Sequence, residues 1–228
     1  MTYVTSDLHG YPLAKFKALL EKAGFSDEDV CFVLGDVIDR GPESVALLRW
    51  IMAQPNMKLI LGNHEAMLLS CASLLITVDS DSLNDETIAA LNTWIANGGR
   101  GTLQALAACG SDTVADVVAY LRSAPLYRTV RADGREFLLV HSGLGAFAPE
   151  KTMDGYAVEE LLWTRPRLTQ KYFDDVLTVL GHTPTYFYGP EHRGKVLFTD
   201  TWIDLDTGAA YGEAPALLRL EDLAVFYA

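Results

Sequence analysis

The chain has 228 residues, half of them hydrophobic and about a fifth charged, so a sizeable globular core is expected and disorder is not. Thirty acids against eighteen Lys+Arg leave a net charge of −12, which argues against a nucleic-acid partner, whose phosphates Lys and Arg would have to neutralise. Cys31, Cys71 and Cys109 form no CxxC zinc pattern, and their odd number and wide spacing among apolar residues argue against a disulfide framework and fit reduced thiols in a cytoplasmic protein.

Met1-Thr2-Tyr3-Val4 leads straight into a first strand with no basic, apolar leader. That strand delivers Asp7-Leu8-His9-Gly10. Pro12 opens an amphipathic helix carrying Leu13, Phe16, Leu19 and Leu20, which Gly24 ends. Val30–Leu34 reads as a buried strand running into Gly35-Asp36-Val37-Ile38-Asp39-Arg40-Gly41, and Pro42-Glu43 starts a second helix that stops near Pro55. Met57–Leu61 is a third strand, ending at Gly62-Asn63-His64-Glu65, and a buried helix is expected from about Glu65 to Ile76. The longest apolar run, about Met67 to Val78, is too short to span a bilayer, so no membrane partner is expected. Three β-α units with short connections argue for a parallel α/β half.

The pattern then changes. From about 79 to 124 no strand is apparent, and helices are expected near 84–97, 102–109 and 112–123, as a cap inserted beside the site in a single domain of 1–228. Tyr127–Arg131 and Glu136–Val140 flank an Asp133-Gly134 hairpin turn, and the second of these strands points at His141-Ser142-Gly143. A short helix leads to Trp163-Thr164-Arg165-Pro166-Arg167. Strands near 176–180, 195–199, 201–205, 216–220 and 223–227 follow, the first ending at Gly181-His182-Thr183. The expected architecture is a two-sheet α/β sandwich with helices on its outer faces, the second sheet rich in antiparallel pairs.

Five strand ends thus carry one grammar: an apolar run, a Gly turn, then side chains that favour metals. Each motif alone is weak, since Asp, Asn and Gly also simply make turns. Together they collect Asp7, His9, Asp36, Asn63, His141 and His182, more nitrogen and oxygen donors than one divalent ion needs. Two ions sharing one carboxylate would use them all, and a pair about 3.5–4 Å apart stabilises both the attacking and the leaving oxygen at phosphorus. Mixed O/N ligation without thiolate favours Mn, with Fe or Zn as alternatives.

Asp7-Leu8-His9-Gly10, Gly35-Asp36-Val37-Ile38-Asp39-Arg40-Gly41 and Gly62-Asn63-His64-Glu65, in this order and with His141-Ser142-Gly143 and Gly181-His182-Thr183 after them, resemble the phosphoprotein phosphatase family of calcineurin-like metallophosphoesterases. The small bacterial and phage Ser/Thr phosphatases of the lambda type look nearest; Trp94…Asn97-Gly98-Gly99, Trp163-Thr164-Arg165 and Ile203-Asp204…Asp206-Thr207-Gly208 are similar to that subgroup. The resemblance implies a two-sheet β-sandwich flanked by helices (αββα) with a helical cap, and a dinuclear-metal phosphoester hydrolase. Asp7 and His9 would hold the first ion, Asp36 would bridge, and Asn63, His141 and His182 would hold the second. Arg40 and Arg165 would grip the phosphate beside Asn63, with Arg167 as the runner-up to Arg165. His64 would be the general acid, its protonated form favoured by Asp39, and a metal-bridging hydroxide would attack phosphorus directly.

Shortness and motif likeness lean toward a phosphoprotein substrate. The alternative is diadenosine tetraphosphate, since hydrolases of that nucleotide share the motifs; adenine would then favour an aromatic platform at Trp94, Tyr120 or Tyr127. A scaffold without catalysis would be expected to have lost ligands, the acid or the arginine, and none is lost.

Overall fold

A computed structural model describes residues 1–76 and 84–228. Two five-stranded sheets are stacked. The first has the order β10-β9-β1-β2-β3, from β1 (Thr2–Thr5), β2 (Val30–Leu34), β3 (Met57–Ile60), β9 (Ala216–Arg219) and β10 (Ala224–Tyr227). The second has the order β4-β5-β6-β8-β7, from β4 (Tyr127–Ala132), β5 (Arg135–Val140), β6 (Val176–Leu180), β7 (Leu197–Phe198) and β8 (Trp202–Asp204). As the β-α repeats require, β1, β2 and β3 are parallel.

Two expectations are corrected. The second sheet is not antiparallel-rich, because β5, β6 and β8 run parallel and only the outer pairs β4·β5 and β7·β8 are antiparallel. The last two strands do not join it either. They return to the first sheet, β9 pairing antiparallel with β1 and β10 with β9. Without them β1 would be a bare edge of a parallel sheet, an open template for pairing. The Thr5 hydroxyl donates to the Ala216 carbonyl, pinning that return.

Between the sheets lies a core in which Val4, Leu34, Ile60 and Leu218 of the first meet Phe137, Leu139, Val179 and Ile203 of the second. The outer face of the first sheet is covered by α1 (Leu13–Lys22), α2 (Ser44–Ala53), α3 (Asn63–Ser70), α4 (Ala72–Ile76), α5 (Asp85–Trp94), α6 (Arg100–Ala107) and α7 (Ser111–Ser123). Phe16, Leu48, Trp94, Leu106 and Val117 therefore share one apolar cluster with Tyr3, Cys31 and Met57. α8 (Val158–Leu162) and the loops around Tyr156 and Tyr172 cover the outer face of the second sheet. The αββα expectation holds.

The expected helix over 65–76 starts two residues early and breaks at Cys71, giving α3 and α4. The expected helix over 84–97 runs through α5 into a wide turn, Ile95–Gly99, with Gly98 at φ 106. The expected cap boundary near 79 falls within 77–83, outside the described residues. No helix among the described residues is long and apolar enough to cross a membrane.

Candidate active site

Strand ends of both sheets converge on one cleft. Asp7 and His9 follow β1, Asp36 follows β2, Asn63 opens α3 just after β3, and His141 and His182 follow β5 and β6. Six residues here, Asp7, His9, Asp36, Asp39, Arg40 and His182, have positive φ values between 43° and 72°. Left-handed backbone at a non-Gly residue costs on the order of 1–3 kcal/mol. Burial of a single large apolar side chain returns about 1.5–3 kcal/mol, so the core between the sheets is on the scale needed to hold these turns. Gly35 and Gly62 permit their close packing. Gly35 has φ 73°, and a Cβ on it would run into the Gly62 backbone, while one on Gly62 would run into Asp36.

The buried donors form two overlapping groups, His9–Asp36–His64 and Asp36–His141–His182, each within 4.8 Å, with Asp36 common to both. Hydrogen bonds set the tautomers. His9 Nδ1–H donates to the Ile38 carbonyl at 3.0 Å and His141 Nδ1–H to that of Leu34 at 2.6 Å, so both Nε2 lone pairs face the cleft. His141 Nε2 then lies 2.8 Å from Asn63 Oδ1, and His182 Nδ1 3.0 Å from the same oxygen. Acceptors this close repel unless a proton or cation lies between them. Asp7 Oδ1 and His182 Nε2 are buried without a hydrogen-bond partner. Burial holds the Asp7 carboxyl above its ordinary range, and burial with the Asp7 and Glu65 charges pushes Asp36 much further up. Burial likewise takes His182 down to about 2 and His9 well below its usual value. Clustered acids that resist ionising and imidazoles that resist protonation suit divalent cations, and the donor set is O and N without thiolate.

Around this group sit the charged side chains. Arg40 reaches His9 Nε2 with Nη1 at 3.0 Å and His64 Nε2 with Nη2 at 2.9 Å. Arg165 lines the cleft beside Arg40, Asn63 and His64, whereas the exposed Arg167 does not. His64 Nδ1–H donates to Asp39 Oδ2 at 2.7 Å. Burial, then the Arg40 charge, works against the protonated His64 expected from sequence, taking the ring down to about 2, and burial lifts Asp39 to about 6.

The contacts of three features, whose residues the motifs contain, are visible only in the fold. Glu65, fully buried, accepts from the backbone N–H groups of Asp36 (2.8 Å), Val37 (2.9 Å), Ile38 (3.3 Å) and Gly62 (3.2 Å), tying the β2 turn to the β3 turn. Its place in the first turn of α3 signals only the bond from the Gly62 N–H, not the reach to the β2 turn. Glu65→Ala should orphan these donors at about 1–3 kcal/mol for each that water cannot reach, lowering stability by roughly 3 kcal/mol or more. Denaturant unfolding checks this, and a loss under about 1 kcal/mol would show that the turns hold without the carboxylate.

Trp94 is a second such feature. It is buried and donates Nε1–H to Asp39 Oδ2 at 2.7 Å, while the Thr102 hydroxyl donates to Oδ1 at 2.6 Å. Trp94 is thus part of the support under His64 and no platform for adenine. Tyr120 and Tyr127 do not line the cleft, which carries Trp163, Phe187 and Tyr211 instead. Third, Asp204 and Asp206 are buried near Asp7, and burial raises both carboxyls well above their usual range.

This fold and this cluster are those of a metal-dependent phosphoesterase. Residues 2–206 match the Calcineurin-like phosphoesterase family, and the chain belongs to it. A symmetrical bis(5'-nucleosyl)-tetraphosphatase of Psychromonas ingrahamii is 29% identical over 160 residues, covering 69% of this chain and 49% of that protein. One from an Acidovorax species is 33% identical over 197 residues, covering 84% of this chain and 60% of its own length. The chain thus spans about half the length of such curated relatives. A crystal structure provisionally assigned as a diadenosine tetraphosphatase superposes with a TM-score of 0.68 at 17% identity, covering 100% of this chain and 92% of that one. These relatives carry the name of the alternative drawn from the sequence, not of a lambda-type Ser/Thr phosphatase.

Proposed function

We propose that the protein hydrolyses dinucleoside tetraphosphates symmetrically, at a centre of two divalent metal ions, Mn foremost. The observation that carries the chemistry is the pair of buried His/Asp groups meeting at Asp36. The curated relatives support this substrate over the phosphoprotein reading, which rested on chain length and motif likeness.

In this reading Asp7 and His9 would hold one ion, Asn63, His141 and His182 the other, and Asp36 would serve both. Bound there, the ions would neutralise phosphoryl charge and make water a nucleophile near neutral pH. The side chains do the rest. The guanidinium groups of Arg40 and Arg165 fork onto phosphate oxygens. His64, oriented by Asp39, carries a proton at Nε2 to the leaving oxygen; the approaching phosphate's negative charge favours the imidazolium that burial alone disfavours. Trp94 and Thr102 keep the Asp39 carboxylate aimed.

The test is a substrate panel with Mn: diadenosine tetraphosphate, a phosphoserine peptide and an aryl phosphate. Diadenosine tetraphosphate should give the highest kcat/KM, with ADP as the only nucleotide product. Faster turnover of the peptide, or ATP with AMP as products, would overturn the substrate reading.

A further inference from the structure

Four large aromatic side chains are exposed among the described residues: Trp163 (44%), Phe187 (61%), Tyr211 (49%) and Phe198 (46%). Three of them, all but Phe198, line the cleft over the His/Asp cluster. An exposed apolar patch concentrated at one cleft marks a binding surface. These rings are built into a wall. Tyr186 stacks on Phe187 with ring centres 4.8 Å apart and meets Tyr211 edge-on at 5.7 Å. The Arg165 guanidinium lies 5.6 Å from the centre of Phe187, and that of Arg40 lies 5.9 Å from the centre of Tyr211. The row of rings Phe187, Tyr186 and Tyr211 is therefore flanked by a forked cation at each end. A polyanion alone would use the arginines and leave the rings wet, and an aliphatic phosphoester would do the same. A flat heteroaromatic ring joined to phosphates matches both parts.

We propose that Phe187 and Tyr211 form a nucleobase-stacking wall, holding the base of a nucleotide whose phosphates run to Arg165 and Arg40. This deepens the nucleotide reading of the site and rests on it. The test measures binding of ADP and of pyrophosphate to the intact Mn-loaded protein by calorimetry. ADP should bind more tightly than pyrophosphate. Phe187→Ala and Tyr211→Ala should each weaken ADP by roughly 5- to 100-fold, the range seen when a stacking ring is removed, and pyrophosphate far less. Phe187→Trp should keep the ADP affinity, and Phe198→Ala should change neither ligand. Retained pyrophosphate binding also reports that the variants are folded. The proposal is overturned if the wild type does not prefer ADP, if the Ala variants lose both ligands equally, or if Phe187→Ala weakens phenyl phosphate as much as ADP. Turnover of diadenosine tetraphosphate is scored separately. No turnover alongside a Phe187-dependent ADP preference sinks the substrate and keeps the wall; turnover without that preference does the reverse.

Discussion

Asp36→Asn should abolish turnover at ordinary Mn concentrations, with a loss well beyond the ~10–100-fold that follows removal of an outer-shell partner at a metal site. Asp36 is the member common to both donor groups, so in the proposed two-ion centre its replacement should disturb both ions at once. The substitution is nearly isosteric. An amide oxygen can still accept from the His64 N–H, which now reaches Asp36 Oδ1 at 3.0 Å, so the fold should survive. A terminal donor behaves differently: Asn63→Ala should regain part of its activity in excess metal. Elemental analysis of the purified variants separates the cases. Two tightly held ions in Asp36→Asn would falsify the bridging role.

His64→Asn should keep both ions and lose activity according to the leaving group. General-acid assistance is worth about 10²–10⁴-fold when the leaving oxygen is strongly basic. A phosphoserine peptide expels an alkoxide and should show the full loss. A nucleoside diphosphate leaves as a much weaker base, so the loss on diadenosine tetraphosphate should be smaller. An ester of a strongly acidic phenol should suffer least. Asp39→Asn should show a weaker form of the same ranking, because it removes the carboxylate that accepts from His64, Trp94 and Thr102 while leaving the ring. The measurement is kcat on all three substrates with metal content alongside. Because His64 Nε2 lies 3.8 Å from Asp36 Oδ2, its part in metal holding is tested at the same time. Equal losses on every substrate, or a missing ion, would remove the acid role.

The strands were legible because each apolar run is bounded by a Gly turn, and Val30–Leu34 and Val176–Leu180 appear over the ranges read from the sequence. The six metal-type donors were legible for a related reason. A polar side chain that follows a buried strand must either reach water or find partners, and here they find one another. What was hidden depends on tertiary contact alone. Nothing local to Glu65 says that its carboxylate crosses to the β2 turn, and nothing local to Trp94 points to Asp39 across 55 positions. The return of β9 and β10 to the first sheet was hidden likewise, since period-2 patterning fixes which face a strand buries and not which sheet it joins. Exposed rings at Phe187 and Tyr211 gave no pattern at all, for a sequence does not mark which aromatics the core leaves out.

The divided origin of the cleft also orders the chain's own assembly. Asp7, His9, Asp36 and Asn63 are set by β-α units whose contacts are short-range, but the His182 N–H meets Asp7 Oδ2 across 175 positions. Closing so large a loop is entropically late, because distant pairings form only after local ones have lowered its cost. A growing chain would carry four of its six donors through synthesis before the second sheet supplies His141 and His182, with Asp7 and Asp36 still open to water and easily ionised. If the six donors act together, activity has to await the docking of one sheet on the other.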